Sequence, residues 1–518
     1  MWSKVLDLID SLVDRLSMYR LLLYYLLGLV LVAIILSAVG VMHYSALDIG
    51  ASAAVLVFAC WAINRILATI FDAPINPESS ILTGLILALI VPSKPTGFGL
   101  LFLIAVSGLA MASKYLLAIR SKHIFNPAAI AVVLTAFGPH QSASWWVATA
   151  SMLPFVLIGG VLLVRKLRRG PMVIAFLLAT TIATGVFSLI GGSNLGFNLQ
   201  NMILNSAVLF LGFVMLTEPY SSPSTRANQL WYAVIVGVVL APQFHIGHDY
   251  STPEFALIIG NIFAYLVSSK VKLFPTLYRK YKIARDTAEF EFVPHVPLSY
   301  LPGQYMEFTL PHDHPDSRGS RRYFTLSSSP TEDKLKVGVK FYDVSSSYKS
   351  ALIDIDQNSQ VVAAQLAGDF VLPKAKQDKL VFIAGGIGIT PFRSMIKYLI
   401  DTNDRRDIIL LYGVREEVDI AYRNLFEEAR TRLGIKSYYV LSGSNARITL
   451  ANTLTGKINA RVIKSIVPDI NERHFYISGT HQMVEAIQAT LHHSGVNRAN
   501  IKIDFFPGYA WALAREGL

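Results

Sequence analysis

The chain has 518 residues, 53% of them hydrophobic, and a mean hydropathy of +0.45, which excludes an ordinary soluble protein and leaves room for two or three domains of a membrane protein. The net charge of +11 raises nucleic-acid binding, but basic residues gather at the ends of apolar spans, where anionic lipid is the simpler partner and no nucleic acid is needed. The single cysteine, Cys60, excludes an iron–sulfur cluster ligated within the chain. At the start, Trp2, Val5, Leu6, Ile9, Leu12, Val13 and Leu16 share one helical face, so residues 1–18 are expected to form an amphipathic helix lying on the bilayer. A signal peptide is the alternative, but the apolar span from Leu21 is too long for one and no convincing cleavage site follows.

Apolar spans follow at about 21–42, 47–71, 81–92, 98–118, 125–138, 144–164, 171–190, 203–217, 229–243 and 253–270. At about 20 residues per crossing they predict a ten-helix membrane domain over 20–272. An even count puts both termini on one side. Arg65, Lys114, Arg120, Lys122, Arg165, Lys166, Arg168, Arg169, Arg226, Lys270 and Lys272 fall on that side, against Lys94 on the other. The positive-inside rule then predicts a multi-pass protein of the cytoplasmic (inner) membrane with both termini cytoplasmic.

Three spans are short and begin at polar, proline-bearing edges: Asn76-Pro77-Glu78-Ser79-Ser80, His123-Ile124-Phe125-Asn126-Pro127 and Thr217-Glu218-Pro219-Tyr220. Such edges suit half-helices that build a ligand site inside the membrane; caps at the membrane surface are the plainer reading. Ser80 to Leu89, Lys122 to Ala129 and Met215 to Pro219 resemble the membrane subunit shared by the sodium-translocating NADH:quinone reductase (its B subunit) and the Rnf complex (its D subunit). The resemblance covers about 20–270 and implies ten helices in an inverted repeat that hold flavin. It points to Thr83, His123, Asn126, Thr217 and Glu218 as the membrane flavin or quinone site. The Ser-Gly-Ala-Thr tetrapeptide that carries covalent FMN in that family does not occur here, so the flavin expected is a non-covalent FMN or riboflavin.

Beyond Lys272 charges return at ordinary density, with Tyr278 to Lys282 as a basic connector. Arg321-Arg322-Tyr323-Phe324-Thr325-Leu326 reads as a β-strand in which an arginine can neutralise a diphosphate, an aromatic can cover a flavin or adenine face, and a hydroxyl can bond the flavin N5 edge. Lys379 to Ala384 reads as a buried parallel strand entering Gly385-Gly386-Ile387-Gly388-Ile389-Thr390-Pro391 and then a helix. Glycines there let backbone approach a phosphate at a helix N-terminus.

Together these stretches resemble the ferredoxin-reductase family of flavoproteins, over about 281–512. Pro302 to Tyr305, Leu335 to Phe341, Ser345 to Leu352, Gly368-Asp369-Phe370, Tyr412 to Arg415 and Phe475 to Thr480 follow in the family's order. The resemblance implies an antiparallel β-barrel FAD domain at 281–373 and an α/β NAD(P)-binding domain at 378–518. FAD would be held by Arg322, Tyr323, Phe324, Thr325, Val339, Lys340, Ser346 and Ser347; NADH or NADPH by Gly385, Gly386, Gly388, Thr390, Pro391, Gly479 and Met483. Phe506, in the aromatic tail, would cover the flavin. Thr325 and Ser478 take the catalytic positions, Ser478 standing where many members carry cysteine, and the stretch at Ser346 lacks the family's glycine.

No span carries stacked histidine pairs for haem, no metal site is expected, and no acidic residue lies mid-span. The expected function is a membrane-bound NAD(P)H-dependent flavoprotein oxidoreductase. Electrons would pass through FAD to a membrane flavin, a quinone or a far-side acceptor. A permease-like module gated by a reductase half, or a haem-free ferric or flavin reductase, is the alternative. Arg415 offers a partner for a 2′-phosphate, but Glu416 and Glu417 beside it leave NADH against NADPH open.

Overall fold

The computed structural model describes residues 16–71, 77–119, 122–137, 141–204, 207–242, 244–246, 249–268, 272–316, 318–343, 345–443 and 450–505. Residues 1–15, where the amphipathic helix is expected, and the tail containing Phe506 lie outside them. The chain divides into two compact units, Met1–Val271 and Lys272–Leu518.

The first unit is helical: α1 (Met18–Ala38), α2 (Ala46–Ile70), α3 (Pro77–Ile90), α4 (Phe98–Leu116), α5 (Pro127–Phe137), α6 (Leu153–Leu167), α7 (Gly170–Ile190), α8 (Leu195–Leu204), α9 (Arg226–Val239) and α10 (Pro253–Val267). Between α8 and α9 a short turn at Val208–Phe210 runs into a π-helix at Leu211–Met215. Caps set the helix starts: Ser17, Ser45 and Thr252 accept the backbone N–H groups of Arg20, Asp48 and Phe255. Helices α2 and α3 meet at Gly84, where a Cβ would lie 2.8 Å from the Val57 Cα.

The sequence predicts ten crossings. Among the described residues four helices, α1, α2, α4 and α7, are long and apolar enough to cross a bilayer alone, or five if Leu195–Leu204 and Val208–Met215 form one bent span. The shortfall has a local cause. α3 has 14 residues and α5 has 11, and each begins at a proline beside polar residues. At about 1.5 Å per residue, neither reaches across about 30 Å of hydrocarbon.

The expected span at 144–164 shortens for another reason. Its first residues leave the helix: Trp145 has φ 45°, and Ser144 and Trp145 donate their N–H groups to the Ile90 carbonyl at 2.9 and 3.0 Å. Trp146 Nε1 donates to the Ala88 carbonyl at 2.9 Å. The segment thus satisfies the open C-terminal end of α3, where water is scarce.

In the second unit, strands β1 (Thr276–Ala284), β2 (Thr287–Val293), β3 (Tyr305–Thr309), β4 (Arg321–Thr325), β5 (Leu335–Lys340) and β6 (Val362–Ala367) form two antiparallel sheets, ordered β6-β3-β4 and β1-β2-β5. Bridges Leu273–Ala363 and Thr276–Gln360 join the sheets on one side, and the Ser327 N–H donates to the Lys336 carbonyl at 2.8 Å on the other. Helix α11 (Ser347–Asp354) follows β5.

Next, β7 (Lys379–Gly385), β8 (Ile408–Val414), β9 (Lys436–Leu441), β10 (Thr453–Thr455), β11 (Arg473–Gly479) and β12 (Ile501–Phe505) form one parallel sheet, ordered β10-β9-β8-β7-β11-β12. Helices α12 (Thr390–Asp401), α13 (Arg423–Leu433), α14 (Ala460–Ile466) and α15 (His481–His493) accompany it. Strand β7 is apolar from Leu380 to Ala384, where both its faces are covered. Leu380, Phe382 and Ala384 join Phe392 and Phe426 of α12 and α13, while Val381 and Ile383 join Ile463, Val484 and Ile487 of α14 and α15.

Trp146→Phe would keep a ring but orphan the buried Ala88 carbonyl, at a cost of about 1–3 kcal/mol. Thermal unfolding in detergent should therefore show a lowered midpoint; an unchanged midpoint would contradict the capping role.

Candidate functional site

The glycine-rich turn sits at the end of β7, and its glycines have different jobs. A Cβ on Gly385 would lie 2.1 Å from the Met483 sulfur, and one on Gly388 would lie 2.4 Å from the Ser478 carbonyl oxygen, so these two admit close packing against β11 and α15. Gly386 has φ +54° and nothing within 4 Å of its Cβ position. It is the point where the turn opens outward, suited to backbone approach by a phosphate. Thr390 starts α12 with its hydroxyl donated to the Ile387 carbonyl at 3.1 Å, followed by Pro391 in the first turn. Across the sheet Ser478 pairs with Ala384, and Thr480 caps α15 by accepting the Met483 N–H. The structure therefore brings Gly385, Gly386, Gly388, Thr390, Pro391, Ser478, Gly479 and Met483 into one neighbourhood.

On β4 the expected flavin residues split by strand alternation. Arg322 and Phe324 both lie against Tyr348 of α11: the guanidinium is 5.1 Å from its ring centroid, and the Phe324 ring is 5.9 Å away. Tyr323 stands edge-on to Tyr305 at 5.7 Å, and Thr325 is the strand partner of Tyr305. Thr325 Oγ1 and Ser478 Oγ are buried and have no hydrogen-bond partner among the described residues. A buried orphan hydroxyl is costly, and each of these two keeps a hydrogen bond to offer.

The cationic part of the site is larger than the sequence suggested. Arg322 donates to the carbonyls of Arg318 and Gly319 at 2.9 Å and lies 3.2 Å from Asp316. Lys349, at the start of α11, donates to the Lys340 carbonyl. Burial, then the like charges of Arg318, Arg322 and Lys340, pushes the Lys349 ammonium down to about 7. Arg318 and Arg322 share the one carboxylate of Asp316, so with Lys340 and Lys349 close by the described residues here are net positive, which suits the diphosphate of FAD.

Ser346 and Ser347 contribute differently from expectation. Ser346 caps α11 by accepting the Lys349 N–H at 3.3 Å; the Ser347 hydroxyl accepts the Asp316 N–H at 2.9 Å and bonds His312 Nε2 at 3.0 Å. Val339 is buried inside the sheet pair, and Lys340 reaches the Tyr342 ring at 5.7 Å. Arg318 and Lys349 were legible only as unassigned charges.

In the helical unit, Asn126 is a junction. Its Nδ2 donates to Glu218 Oε2 at 2.8 Å, its N–H donates to Asn261 Oδ1 at 2.8 Å, and its Oδ1 accepts the Ala129 N–H at 3.1 Å at the start of α5. Glu218 also accepts from the Ser221 hydroxyl at 2.7 Å, and Asn261 Nδ2 donates to the Ser221 carbonyl at 3.1 Å and the Tyr232 hydroxyl at 3.2 Å. His123 stacks on Tyr220 with centroids 5.3 Å apart. Thr83 belongs to a separate knot, in which Lys114 Nζ donates to Thr83 Oγ1 at 3.0 Å and to Ser79. The charges of Lys114 and Arg169 both reach Glu218. The Thr217 hydroxyl is used within its own turn, on the Phe213 carbonyl at 2.6 Å. Asn261, Tyr232 and the role of Lys114 were missed; the one signal was an asparagine inside an apolar span. Among the described residues no group of three His, Cys, Asp or Glu side chains could hold a metal ion.

Residues 147–273 match the NQR2, RnfD, RnfE family, and residues 382–489 match the oxidoreductase NAD-binding domain. The chain thus joins a membrane segment of the NQR2/RnfD/RnfE type to a ferredoxin-reductase-like, FAD/NAD-binding reductase. Curated relatives include a flavohemoprotein of Bacillus subtilis, 27% identical over 235 residues, covering 44% of this chain and 57% of that protein. A glycine betaine monooxygenase reductase subunit of Pseudomonas aeruginosa is 24% identical over 224 residues, covering 43% and 60%. The chain therefore spans about three-fifths of the length of these relatives. Among solved structures, an Amycolatopsis cytochrome P450 reductase is 24% identical with a TM-score of 0.41, covering 45% of this chain and 69% of that one. The FAD/NAD-binding domain of a Vibrio cholerae nitric oxide dioxygenase is 19% identical with a TM-score of 0.40, covering 45% and 98%.

A diphosphate beside Lys349 would raise its affinity for a proton, so FAD binding takes up a proton near neutral pH and weakens as pH rises above about 7. The limit is about tenfold per pH unit for one proton. Titrating flavin-free protein with FAD at several pH values should show this slope, and Lys349→Gln should flatten it; an identical slope in the variant would contradict the assignment.

Proposed function

We propose that the protein is a membrane-bound NAD(P)H dehydrogenase that delivers electrons through FAD to an acceptor in or across the bilayer. The observation that carries this reading is the pair of buried hydroxyls without a partner among the described residues, Thr325 and Ser478, one from the flavin strand and one from the nucleotide-binding sheet. FAD, when bound, takes two electrons as a hydride and releases them singly, which matches a dinucleotide donor to a one-electron path.

The residues have separate tasks in this reading. Arg322, Arg318, Lys340 and Lys349 neutralise the flavin diphosphate, while Tyr323 and Phe324 offer ring faces and Thr325 a hydroxyl. The Gly386 turn and the start of α12 receive the dinucleotide phosphates, and Ser478, Gly479 and Met483 line the nicotinamide end. Phe506 shields the flavin. The two sheets of the flavin half act as a β-barrel domain that starts with β1 at Thr276, ahead of the expected 281, and runs to 373, beside an α/β domain at 378–518.

In the membrane domain, 20–272, we read ten helices, of which the short ones enter the bilayer without crossing it alone, their ends satisfied by buried side chains, as at Ala88 and Asn126. Asn126, Glu218 and His123, with Thr83, Thr217 and Lys114 nearby in the same domain, form a site for a non-covalent FMN or riboflavin, or for a quinone. Both termini are taken as cytoplasmic in the inner membrane because the basic residues gather on that side.

Purified full-length protein should contain FAD that NADH or NADPH bleaches without oxygen. Thr325→Val and Ser478→Val should each slow bleaching by about tenfold, the scale of one hydrogen bond, while keeping the flavin. Glu218→Gln should leave bleaching unchanged and slow reoxidation by quinone. Flavin that is inert to both dinucleotides would contradict the reading.

A further inference from the structure

The segment after the flavin strand and the nucleotide-binding half are fastened together by a buried carboxylate that the proposed chemistry does not use. Glu289 lies on β2 and is 1% exposed. Its Oε1 accepts from the Ser327 hydroxyl at 2.8 Å and from the Tyr422 hydroxyl at 2.6 Å, and its Oε2 accepts from the Tyr281 hydroxyl at 2.6 Å. These donors come from three places: Ser327 follows β4 by two residues, Tyr281 is on β1, and Tyr422 precedes α13 in the nucleotide-binding half.

Tyr422 reaches the carboxylate over the bare face of a glycine in the sheet. The strand partner of Glu289 on β5 is Gly338, and a Cβ there would lie 2.7 Å from the Tyr422 hydroxyl and 2.8 Å from Thr390 Cγ2. Any side chain at Gly338 would cover that face and press on the first residue of α12.

A second grip acts on the same short segment. Arg393 of α12 donates to the Ser327 carbonyl at 3.0 Å, pairs with Glu332, and holds its guanidinium 5.7 Å from the Tyr422 ring centroid. Ser394 donates to the Ser328 carbonyl at 2.6 Å. Residues 327 and 328 are thus held by the helix whose first turn receives the dinucleotide. Two residues upstream is Thr325.

We propose that Glu289, acting through Tyr422 and Ser327, is a positioning residue for hydride transfer that fixes the angle and distance between the nicotinamide and the flavin. This rests on the dehydrogenase reading above. The effect is geometric: a displacement of about 1 Å between donor and acceptor can cost about 100-fold in rate without weakening binding of either.

The test is anaerobic stopped-flow reduction of full-length, flavin-loaded protein by NADH and NADPH, comparing wild type with Glu289→Gln, Tyr422→Phe and Gly338→Ala. The limiting rate of flavin reduction should fall by about 10- to 100-fold in each. The half-saturating dinucleotide concentration should change less than about threefold, and the long-wavelength charge-transfer absorbance of the flavin–nicotinamide complex should weaken. Tyr422→Phe removes a single hydroxyl and keeps the test usable if the carboxylate variant does not fold. Unchanged limiting rates and charge-transfer bands would overturn the proposal, as would losses that vanish once corrected for bound flavin. Failure of wild-type flavin to be reduced would instead overturn the dehydrogenase reading itself.

Discussion

Polar groups removed from water must be satisfied by other parts of the chain, and both halves of this molecule are built around that requirement. In the helical unit it appears at Asn126, whose side chain binds a carboxylate and the open end of α5 while its backbone N–H donates to a second asparagine, Asn261. Replace it with an apolar residue and the carboxylate of Glu218 loses a donor while α5 loses its cap. The short helices can end where they do because such partners are present: the Trp145–Trp146 segment does for the end of α3 what Asn126 does for the start of α5.

The reductase half obeys the same rule with charge added. Glu289 is surrounded by hydroxyl donors, while the neighbouring carboxylate Glu291 is subject to burial but is held down to about 2 by bonds from Arg279 and Lys336. At the start of α11 the balance tips the other way. Four cations crowd together, and burial with mutual repulsion costs Lys349 its proton near neutrality. The carboxylate site is satisfied by hydroxyl donors; the cationic group keeps a net positive charge beyond its one carboxylate, Asp316. That contrast separates a structural network from a binding site better than residue type alone.

Much of this was readable from local sequence. The run from Lys379 to Pro391 announces a buried strand, a glycine turn and a helix, because the cause of each lies within a few residues. What escaped reading depends on distant partners: Glu289 meets Tyr422 133 positions away, and Asn126 meets Asn261 135 away. Apolarity at 144–152 suggested helix, yet a buried loop has the same composition. Ser346 and Ser347 have the right chemistry for a diphosphate, but capping and turn bonds claim their hydroxyls first.

Sealed proteoliposomes offer the most direct test of coupling between the halves. Full-length protein would be inserted with its reductase half outward, NAD(P)H supplied outside, and a membrane-impermeant electron acceptor trapped inside with quinone dissolved in the lipid. Passage of electrons through the helical unit predicts dinucleotide oxidation in step with reduction of the lipid quinone or the trapped acceptor. Reduction confined to acceptors added on the dinucleotide's own side, with quinone and lumen untouched, would contradict it.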